Sequence, residues 1–192
     1  LYTLTTLEEA KAAFEADGVS TPLTKAAAVL FQQGIAPVLF VPVIQGEAEE
    51  KAAAYAACLA LCEAAQGIEL ILTDSSDLEV LTALKDSVNA SSGNKKERLA
   101  LAFSPADTAA ALAGSLNCER FCLVSGRLGT GEEASASEEI LVSVAGAVLR
   151  EENLTSNFAG EELAGIQLGE NLPEAQVEAL LGAGVTVLEQ VG

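Results

Sequence analysis

The residues best suited to bind a ligand follow a short apolar run in the first half of the chain. Asp74-Ser75-Ser76-Asp77 comes just after Ile68–Leu72, which is predicted to be a buried strand. Ligands of doubly wound sheets collect at the carboxyl ends of strands, and divalent cations prefer oxygen ligands. Asp74 and Asp77 are therefore candidate metal ligands. The same four residues also suit a turn followed by a helix N-cap, which is the favoured interpretation and assigns no metal.

A glycine-rich segment, Gly126–Gly131, follows a later apolar run. It lacks the Gly-Lys-Ser/Thr ending of a phosphate-binding loop, and its glycines do not have the spacing of a dinucleotide fingerprint. Glu132 and Glu133 come next and would repel a phosphate. The segment is interpreted as a connector, and no cofactor-binding residue is assigned.

No catalytic group is visible in the sequence. The chain has no histidine, which removes the commonest general base and the commonest metal ligand. No serine or cysteine has a recognisable base, and there is no Gly-x-Ser-x-Gly elbow. Cys58, Cys62, Cys118 and Cys122 lack C-x-x-C spacing. They are interpreted as structural thiols, with a Cys₄ metal site and disulfides as the less favoured alternatives. The sequence therefore predicts no cofactor and no enzyme activity.

The charge of the chain excludes two classes of partner. It has 28 acidic against 10 basic residues, a formal net charge of −18. Its only basic cluster, Lys95–Arg98, is too short and too mixed to follow a nucleic acid backbone. The same charge disfavours an anionic membrane surface, and no apolar run reaches the roughly 20 residues that cross a bilayer. We expect neither nucleic acid nor membrane binding.

Apolar runs alternate with amphipathic stretches at a spacing typical of right-handed strand–helix–strand crossovers. This alternation predicts an α/β fold: a largely parallel or mixed sheet with helices on both faces, plus a small C-terminal α+β tail. The predicted strands of one sheet are Val38–Val43, Ile68–Leu72, Leu99–Phe103 and Phe121–Val124, with Val185–Leu188 as a last strand. The predicted helices run from Thr6 (the cap of a capping box with Glu9) to Ala16, from Pro22 to Gln33, from Ala48 to Ala65, from Leu78 to Val88, from Ala106 to Leu116 and from Pro173 to Leu181.

The central element of the fold is predicted between Ser137 and Arg150. Its apolar residues point in every helical direction, so the helix is expected inside the protein. Ser137 is the expected N-cap. Glu138 and Glu139 follow it, where their carboxylates interact favourably with the helix dipole. Ala145-Gly146-Ala147 are expected to leave room for another element to approach closely.

The predicted organisation is one domain over residues 1–192, with an α/β core over 1–152 and a C-terminal segment over 153–192. That segment is expected to add an antiparallel edge or a small subdomain. Because the chain begins at Leu1 and contains no methionine, we expect it to be a piece of a longer protein.

Five stretches, in the expected order, resemble the core domain of the tail sheath proteins of contractile phages and prophages. The first resembles a short helix that leads to a second helix. The second resembles a helix that precedes a Val-rich strand. The others resemble a family helix of the Ala-Gly type, the segment after it, and a last helix with its strand. They are Tyr2–Phe14, Ala27–Gly34, Val144–Val148, Asn157–Ile166 and Leu172–Leu188.

This resemblance implies a non-enzymatic virion structural protein that surrounds the tail tube and rearranges on contraction. The implied partners are neighbouring sheath subunits in rings and helical stacks, the tail tube protein and baseplate proteins. The implied location is the virion tail, assembled in the host bacterial cytoplasm. Sheath subunits are linked through terminal arms, which this sequence does not contain, so we expect the 192-residue chain by itself to be monomeric.

Two other classes remain open from the sequence. One is a small-molecule- or metal-binding α/β domain, and possible enzyme, that uses the Asp74–Asp77 loop. The other is an acidic adaptor module.

Overall fold

Helices and short strands alternate along the chain in the computed structural model, which describes residues 1–43, 50–131, 134–151, 158 and 160–190. This alternation confirms the predicted α/β class. In these ranges the helices are α1 (Leu7–Phe14), α2 (Pro22–Gln32), α3 (Lys51–Ala64), α4 (Leu78–Gly93), α5 (Ala106–Leu116), α6 (Ser137–Arg150) and α7 (Glu174–Gly182). The strands are β1 (Tyr2–Leu4), β2 (Val38–Phe40), β3 (Leu70–Thr73), β4 (Leu99–Phe103), β5 (Phe121–Ser125) and β6 (Thr186–Val187).

The chain divides into two compact units. Unit 1 consists of Leu1–Pro42 and Ser135–Ile166, and unit 2 of Val43–Ala134 and Gln167–Gly192. The boundary predicted between residues 152 and 153 lies outside the described residues, as does the predicted start of the third helix at Ala48. That domain boundary therefore stays a prediction.

Unit 2 contains a parallel sheet with the strand order β3-β4-β5-β6. Three of the four strands predicted to share a sheet form β3, β4 and β5, and the predicted last strand supplies β6. One face of this sheet packs against α4, α5 and α7, and on the other face Leu101, Phe103 and Val124 are also buried. Burial on both faces explains why these strands read as continuous apolar runs. The core members on the helix-covered side are Leu81, Ala102, Ala109, Leu116, Leu123, Leu172, Leu180 and Val185.

The assignment of Val38–Val43 to that sheet is wrong. Its first three residues form β2, which pairs antiparallel with β1 in a separate two-stranded sheet of unit 1. Phe40 is buried there with Leu4, and its ring meets Phe14 edge to face at 5.5 Å between centroids. An apolar run marks burial, but it does not distinguish a strand inside a parallel sheet from a short strand packed on helices.

The predicted starts of the first two helices are confirmed. Thr6 Oγ1 accepts a hydrogen bond from Glu9 N at 3.3 Å, and Glu9 Oε2 accepts one from Thr6 N at 3.3 Å, which completes the capping box. Hydrogen bonds from Thr5, followed by one from Thr6, lower the pKa of the Glu9 carboxyl. At α2, Thr21 Oγ1 accepts from Thr24 N at 3.2 Å.

Helix α6 has the predicted burial but not the predicted cap. Eight successive residues, from Ile140 to Ala147, are buried. The N-cap is Ala136 rather than Ser137, which is the first residue of the helix. Glu139 Oε2 accepts from Ala136 N at 3.1 Å, so the glutamate binds the N–H of the N-cap residue itself, and the N-cap side chain binds no N–H of the first turn.

Gly146 allows a close approach in unit 1, as predicted. A Cβ at this position would overlap the side-chain amide of Gln33, the residue that follows α2. Gln33 Oε1 in turn accepts a hydrogen bond from Arg150 Nη1 at 2.9 Å. One glycine therefore makes room for the contact that joins the end of α2 to the end of α6.

Arg98 and Lys96 bind the carboxyl end of α3. The Arg98 side chain is buried, and its Nη1 and Nη2 donate to the carbonyl oxygens of Cys62 at 2.8 Å and Ala65 at 2.7 Å. Lys96 Nζ donates to Glu63 O at 2.8 Å. These carbonyls form the negative end of the helix dipole, and Cys62 O also accepts a hydrogen bond from the C-cap N–H of Ala65 at 3.1 Å. The basic cluster of the sequence therefore caps a helix.

We expect Gly146→Ala to stabilise the protein only when Gln33 no longer fills the space. Alanine gains about 1 kcal/mol over glycine inside a helix, but here the gain is offset by displacement of Gln33. Urea unfolding of Gly146→Ala, Gln33→Ala and the double variant should give a coupling energy of at least about 0.5 kcal/mol. Gly114→Ala in α5 is the matched control, because a Cβ there would meet no atom within 4 Å beyond its own helix backbone. Additive effects would contradict this account of Gly146.

We expect Arg98→Met to lower the free energy of unfolding by about 1–3 kcal/mol, because it removes the charged donors that bind Cys62 O and Ala65 O at this helix end. Lys96→Met should cost at most about 1 kcal/mol, since its ammonium is exposed. Arg98→Lys should recover only part of the loss, because one ammonium cannot reproduce the two-pronged geometry of a guanidinium. Chemical denaturation of the three variants measures these differences. Equal costs for Arg98→Met and Lys96→Met would show that burial of the cap is irrelevant.

Candidate functional site

The Asp74–Asp77 loop lies where the sequence predicted it, between the carboxyl end of β3 and the start of α4. Strand β3 is at the edge of the parallel sheet. Within the loop, Ser75 N donates to Thr73 Oγ1 at 3.3 Å and Asp77 N donates to Ser75 Oγ at 3.3 Å. These side chain-to-backbone bonds confirm the predicted turn.

Asp74 is bound by a tyrosine of the preceding helix. Tyr55, on the inner face of α3, donates from its hydroxyl to Asp74 Oδ1 at 2.6 Å. Tyr55 is buried, and burial, followed by the hydrogen bond to Asp74, raises the pKa of its hydroxyl well above the usual range. The tyrosine therefore remains a hydrogen-bond donor at any ordinary pH.

Asp77 forms an ion pair with a lysine one helical turn before Tyr55. Lys51 Nζ lies 2.6 Å from Asp77 Oδ2, and this hydrogen bond is the main cause of the lowered pKa of Asp77. Asp77 occupies the N-cap position of α4, as predicted, but its carboxylate makes no capping hydrogen bond. The prediction of a side-chain cap is wrong because the lysine binds the carboxylate instead.

The two carboxylates thus join the start of α3 to the β3–α4 loop. Asp74 binds Tyr55 and Asp77 binds Lys51. These two partners lie one turn apart on the same face of α3. Within the ranges that the structure describes, no three His, Cys, Asp or Glu side chains are grouped so as to hold a metal ion. In this arrangement both carboxylates bind side chains of α3. Metal binding by Asp74 and Asp77 stays a prediction, which the cation experiment below tests.

Tyr55 and Lys51 were missed by the sequence reasoning. The signal was weak but present: Tyr55 is the one aromatic residue in an alanine-rich helix, and Lys51 lies four positions before it. Residues at this spacing share a helix face. What the pattern did not show was which loop this face would meet.

The glycine-rich segment has a packing role in unit 2. Gly169 N donates to Arg127 O at 2.8 Å, and a Cβ on Gly169 would lie 2.8 Å from Leu128 O. Only glycine allows two backbones to approach this closely. The interpretation of Gly126–Gly131 as a connector, not a phosphate-binding loop, agrees with this contact.

The four cysteines are free thiols in the structure. Cys62 is buried on the inner face of α3, and burial raises the pKa of its thiol. A raised pKa disfavours the reactive thiolate. This environment fits the structural role predicted from spacing.

None of the helices in the described part of the chain combines the length and the apolar character that crossing a membrane requires. No protein-family model and no curated protein matches the sequence.

The fold is similar to that of a chain in the cryo-EM structure of the anti-feeding prophage (AFP) baseplate, which was six-fold symmetrised. The TM-score is 0.63 with 18% sequence identity, over 93% of this chain and 49% of the AFP chain. The present chain therefore spans about half the length of that protein. At this identity the likeness shows a shared fold.

We expect Mg²⁺, Ca²⁺ and Mn²⁺ to leave the melting temperature unchanged within about 1 °C, because Tyr55 and Lys51 already bind the two loop carboxylates. A specific ligand at a hundred times its Kd would add about 2.7 kcal/mol, which is a shift of roughly 5–10 °C at this chain length. Differential scanning fluorimetry with each cation makes the measurement. Tyr55→Phe, which releases Asp74 without removing a carboxylate, is the control. A shift of several degrees that Asp74→Asn abolishes would favour the alternative class of a metal- or small-molecule-binding domain.

Proposed function

We propose that this protein is a structural, non-enzymatic subunit of a contractile phage tail or related prophage particle, and that it acts in the sheath around the tail tube. The observation that carries the proposal is the fold shared with a chain of the AFP baseplate over nearly the whole of the present chain. That particle is a prophage assembly, so a protein of this fold is known to occur in one. The sheath assignment is the finer part of the proposal.

The sheath assignment is supported by where the resembling stretches lie in the structure. Tyr2–Phe14 includes β1 and α1, Ala27–Gly34 includes the end of α2, Val144–Val148 lies inside α6, and Leu172–Leu188 includes α7 and β6. These four stretches thus contain helices or strands of the kind expected from the sheath family, whereas the fifth stretch, Asn157–Ile166, lies partly outside the described residues. Val144–Val148 also contains Gly146, the buried glycine of α6 against which Gln33 packs.

The proposed partners are neighbouring copies of the subunit, the tail tube protein and baseplate proteins, in a particle assembled in the host bacterial cytoplasm. The net charge of −18 opposes self-association at low ionic strength. At physiological salt the screening length is about 8 Å, which lets like-charged surfaces approach. Because the present chain spans about half of the AFP chain, assembly is a property we propose for the whole protein.

Immunogold electron microscopy tests both levels of the proposal. An antibody raised against the 192-residue protein is applied to particles purified from the source bacterium after prophage induction. We expect gold along the whole length of extended tails, because sheath subunits repeat along the tube. Pre-absorption of the antibody with the purified protein is the control.

Labelling confined to one end of the tail would overturn the sheath assignment and make the protein a baseplate component. Absence of the protein from purified particles, while it is present in the same lysate, would overturn the structural role as a whole.

A further inference from the structure

The four cysteines form two pairs of equal sequence spacing, and the structure separates the two cases. Cys58 and Cys62 lie four residues apart within α3. This spacing places two side chains on one helix face, with their Cβ atoms about 5–6 Å apart. Cys118 and Cys122 are also four residues apart, but the first lies in the loop before β5 and the second within that strand. Helix geometry therefore brings together only the thiols of α3.

The thiols of the second pair contact two different elements. Cys118 Sγ lies 3.7 Å from Asn89 Oδ1 on α4, and Cys122 Sγ lies 3.4 Å from Thr186 Oγ1 on β6. The pair formed by Cys118 and Cys122 thus has the spacing of the α3 pair without its geometry. It provides a control from the same chain.

The α3 pair extends from the interior of unit 2 toward its surface. Cys62 is buried, and Cys58 is half-buried. Burial is the largest cause of the raised pKa of both thiols. Cys58 adds to the raised pKa of Cys62, so the two thiols are near enough to interact electrostatically. In the free protein both are therefore neutral thiols at neutral pH.

A buried positive charge adjoins this pair. Arg98 Nη1 donates to the carbonyl oxygen of Cys62 at 2.8 Å. Burial raises the pKa of the Cys62 thiol, the guanidinium charge acts in the opposite direction, and the carboxylate of the exposed Glu63 raises the pKa by less than Arg98 lowers it. Within the described ranges the guanidinium binds carbonyl and hydroxyl oxygens, and its buried Nε has no hydrogen-bond partner. An anion formed at Cys62 would be stabilised by this cation.

Two thiols beside one cation favour a soft monovalent metal ion. Thiolates select Cu⁺ and Zn²⁺ among the common metals. Zn²⁺ requires four ligands, whereas Cu⁺ accepts two sulfur ligands. In the part of the chain that the structure describes, no third His, Cys, Asp or Glu side chain completes a metal-binding group. Cu⁺ held by two thiolates carries a net charge of −1, which is opposite to the charge of Arg98.

We propose that Cys58 and Cys62 bind one Cu⁺ ion through both sulfur atoms, with Arg98 as the counter-charge of the complex. On binding, two S–H bonds break, two Cu–S bonds form and two protons pass to solvent, while copper stays in the +1 state. This site is additional to the proposed function and does not depend on it.

Competition with a coloured chelator tests the site. Cu⁺, kept reduced by ascorbate under argon, is titrated into the 192-residue protein in the presence of bicinchoninate, and the absorbance of the copper–bicinchoninate complex is followed. Cys58→Ser removes the half-buried ligand, and Cys118→Ser and Cys122→Ser are the matched controls. Arg98→Lys keeps the buried charge, whereas Arg98→Met removes it.

We expect the wild type to bind one Cu⁺ per chain and Cys58→Ser to bind it at least about 100-fold more weakly. The two control variants should stay within about 2-fold of the wild type. Arg98→Met should weaken binding by about 10–100-fold, and Arg98→Lys by less, because groups around the ligands tune a metal site. Circular dichroism at the assay temperature verifies that each variant is folded. X-ray absorption of the copper-loaded wild type should show two sulfur neighbours.

Failure of the wild type to compete for Cu⁺, or equal affinity of Cys58→Ser and the wild type, would overturn the proposed site. So would one copper ion shared by two chains, or a loss of affinity in Cys122→Ser as large as in Cys58→Ser. A folded Arg98→Met protein with unchanged affinity would overturn the role of Arg98 as counter-charge. The immunogold experiment has no part in these outcomes, so failure of the copper site leaves the proposed function intact.

Discussion

The burial of Arg98 is the constraint on which much of unit 2 depends. A guanidinium taken out of water costs several kcal/mol unless its donors are used, and among the described residues the partners of Arg98 are carbonyl and hydroxyl oxygens, not a carboxylate. Its Nη1 and Nη2 donors meet the carbonyls of Cys62 and Ala65 and the hydroxyl of Ser91, so a helix end compensates most of the charge, whereas the buried Nε has no hydrogen-bond partner in the described part of the chain. Because Arg98 immediately precedes β4, this single side chain ties α3 to α4 and to the start of the central strands.

Once the end of α3 is held in this way, its first turn is placed beside the β3–α4 loop. Tyr55 and Lys51 then meet Asp74 and Asp77, the two carboxylates that the sequence offered for ligand chemistry. Polar groups paired in this manner stabilise the folded unit, since a buried donor or acceptor that lost its partner would lower the free energy of unfolding. The same helix is thus attached at its first turns to the β3–α4 loop and at its last turn to Arg98.

The sequence predicted well wherever a feature depends on neighbours within a few residues. The capping box of Thr6 and Glu9, the proline start of α2 and the all-round burial of α6 are of this kind. So is Gly146, whose small size among apolar residues indicated a close approach before its partner was known. The errors were also local in origin. Ser137 was preferred as a cap because of its type, and Val38–Val43 was assigned to the parallel sheet because it is apolar.

The amino-acid sequence by itself determined the α/β alternation, the sites where helices begin and the positions that must be buried, because these depend on short-range sterics and on apolar periodicity. The tertiary structure alone decided the partners. Tyr55 and Asp74 are 19 positions apart, and Arg98 and Cys62 are 36 apart. Which strand pairs with which, and which carboxylate meets which cation, follows from chain crossings that bring such residues together. No window of sequence a few residues wide contains both members of these pairs, so only the folded chain reveals that the polar groups singled out for chemistry serve to hold the helices in place.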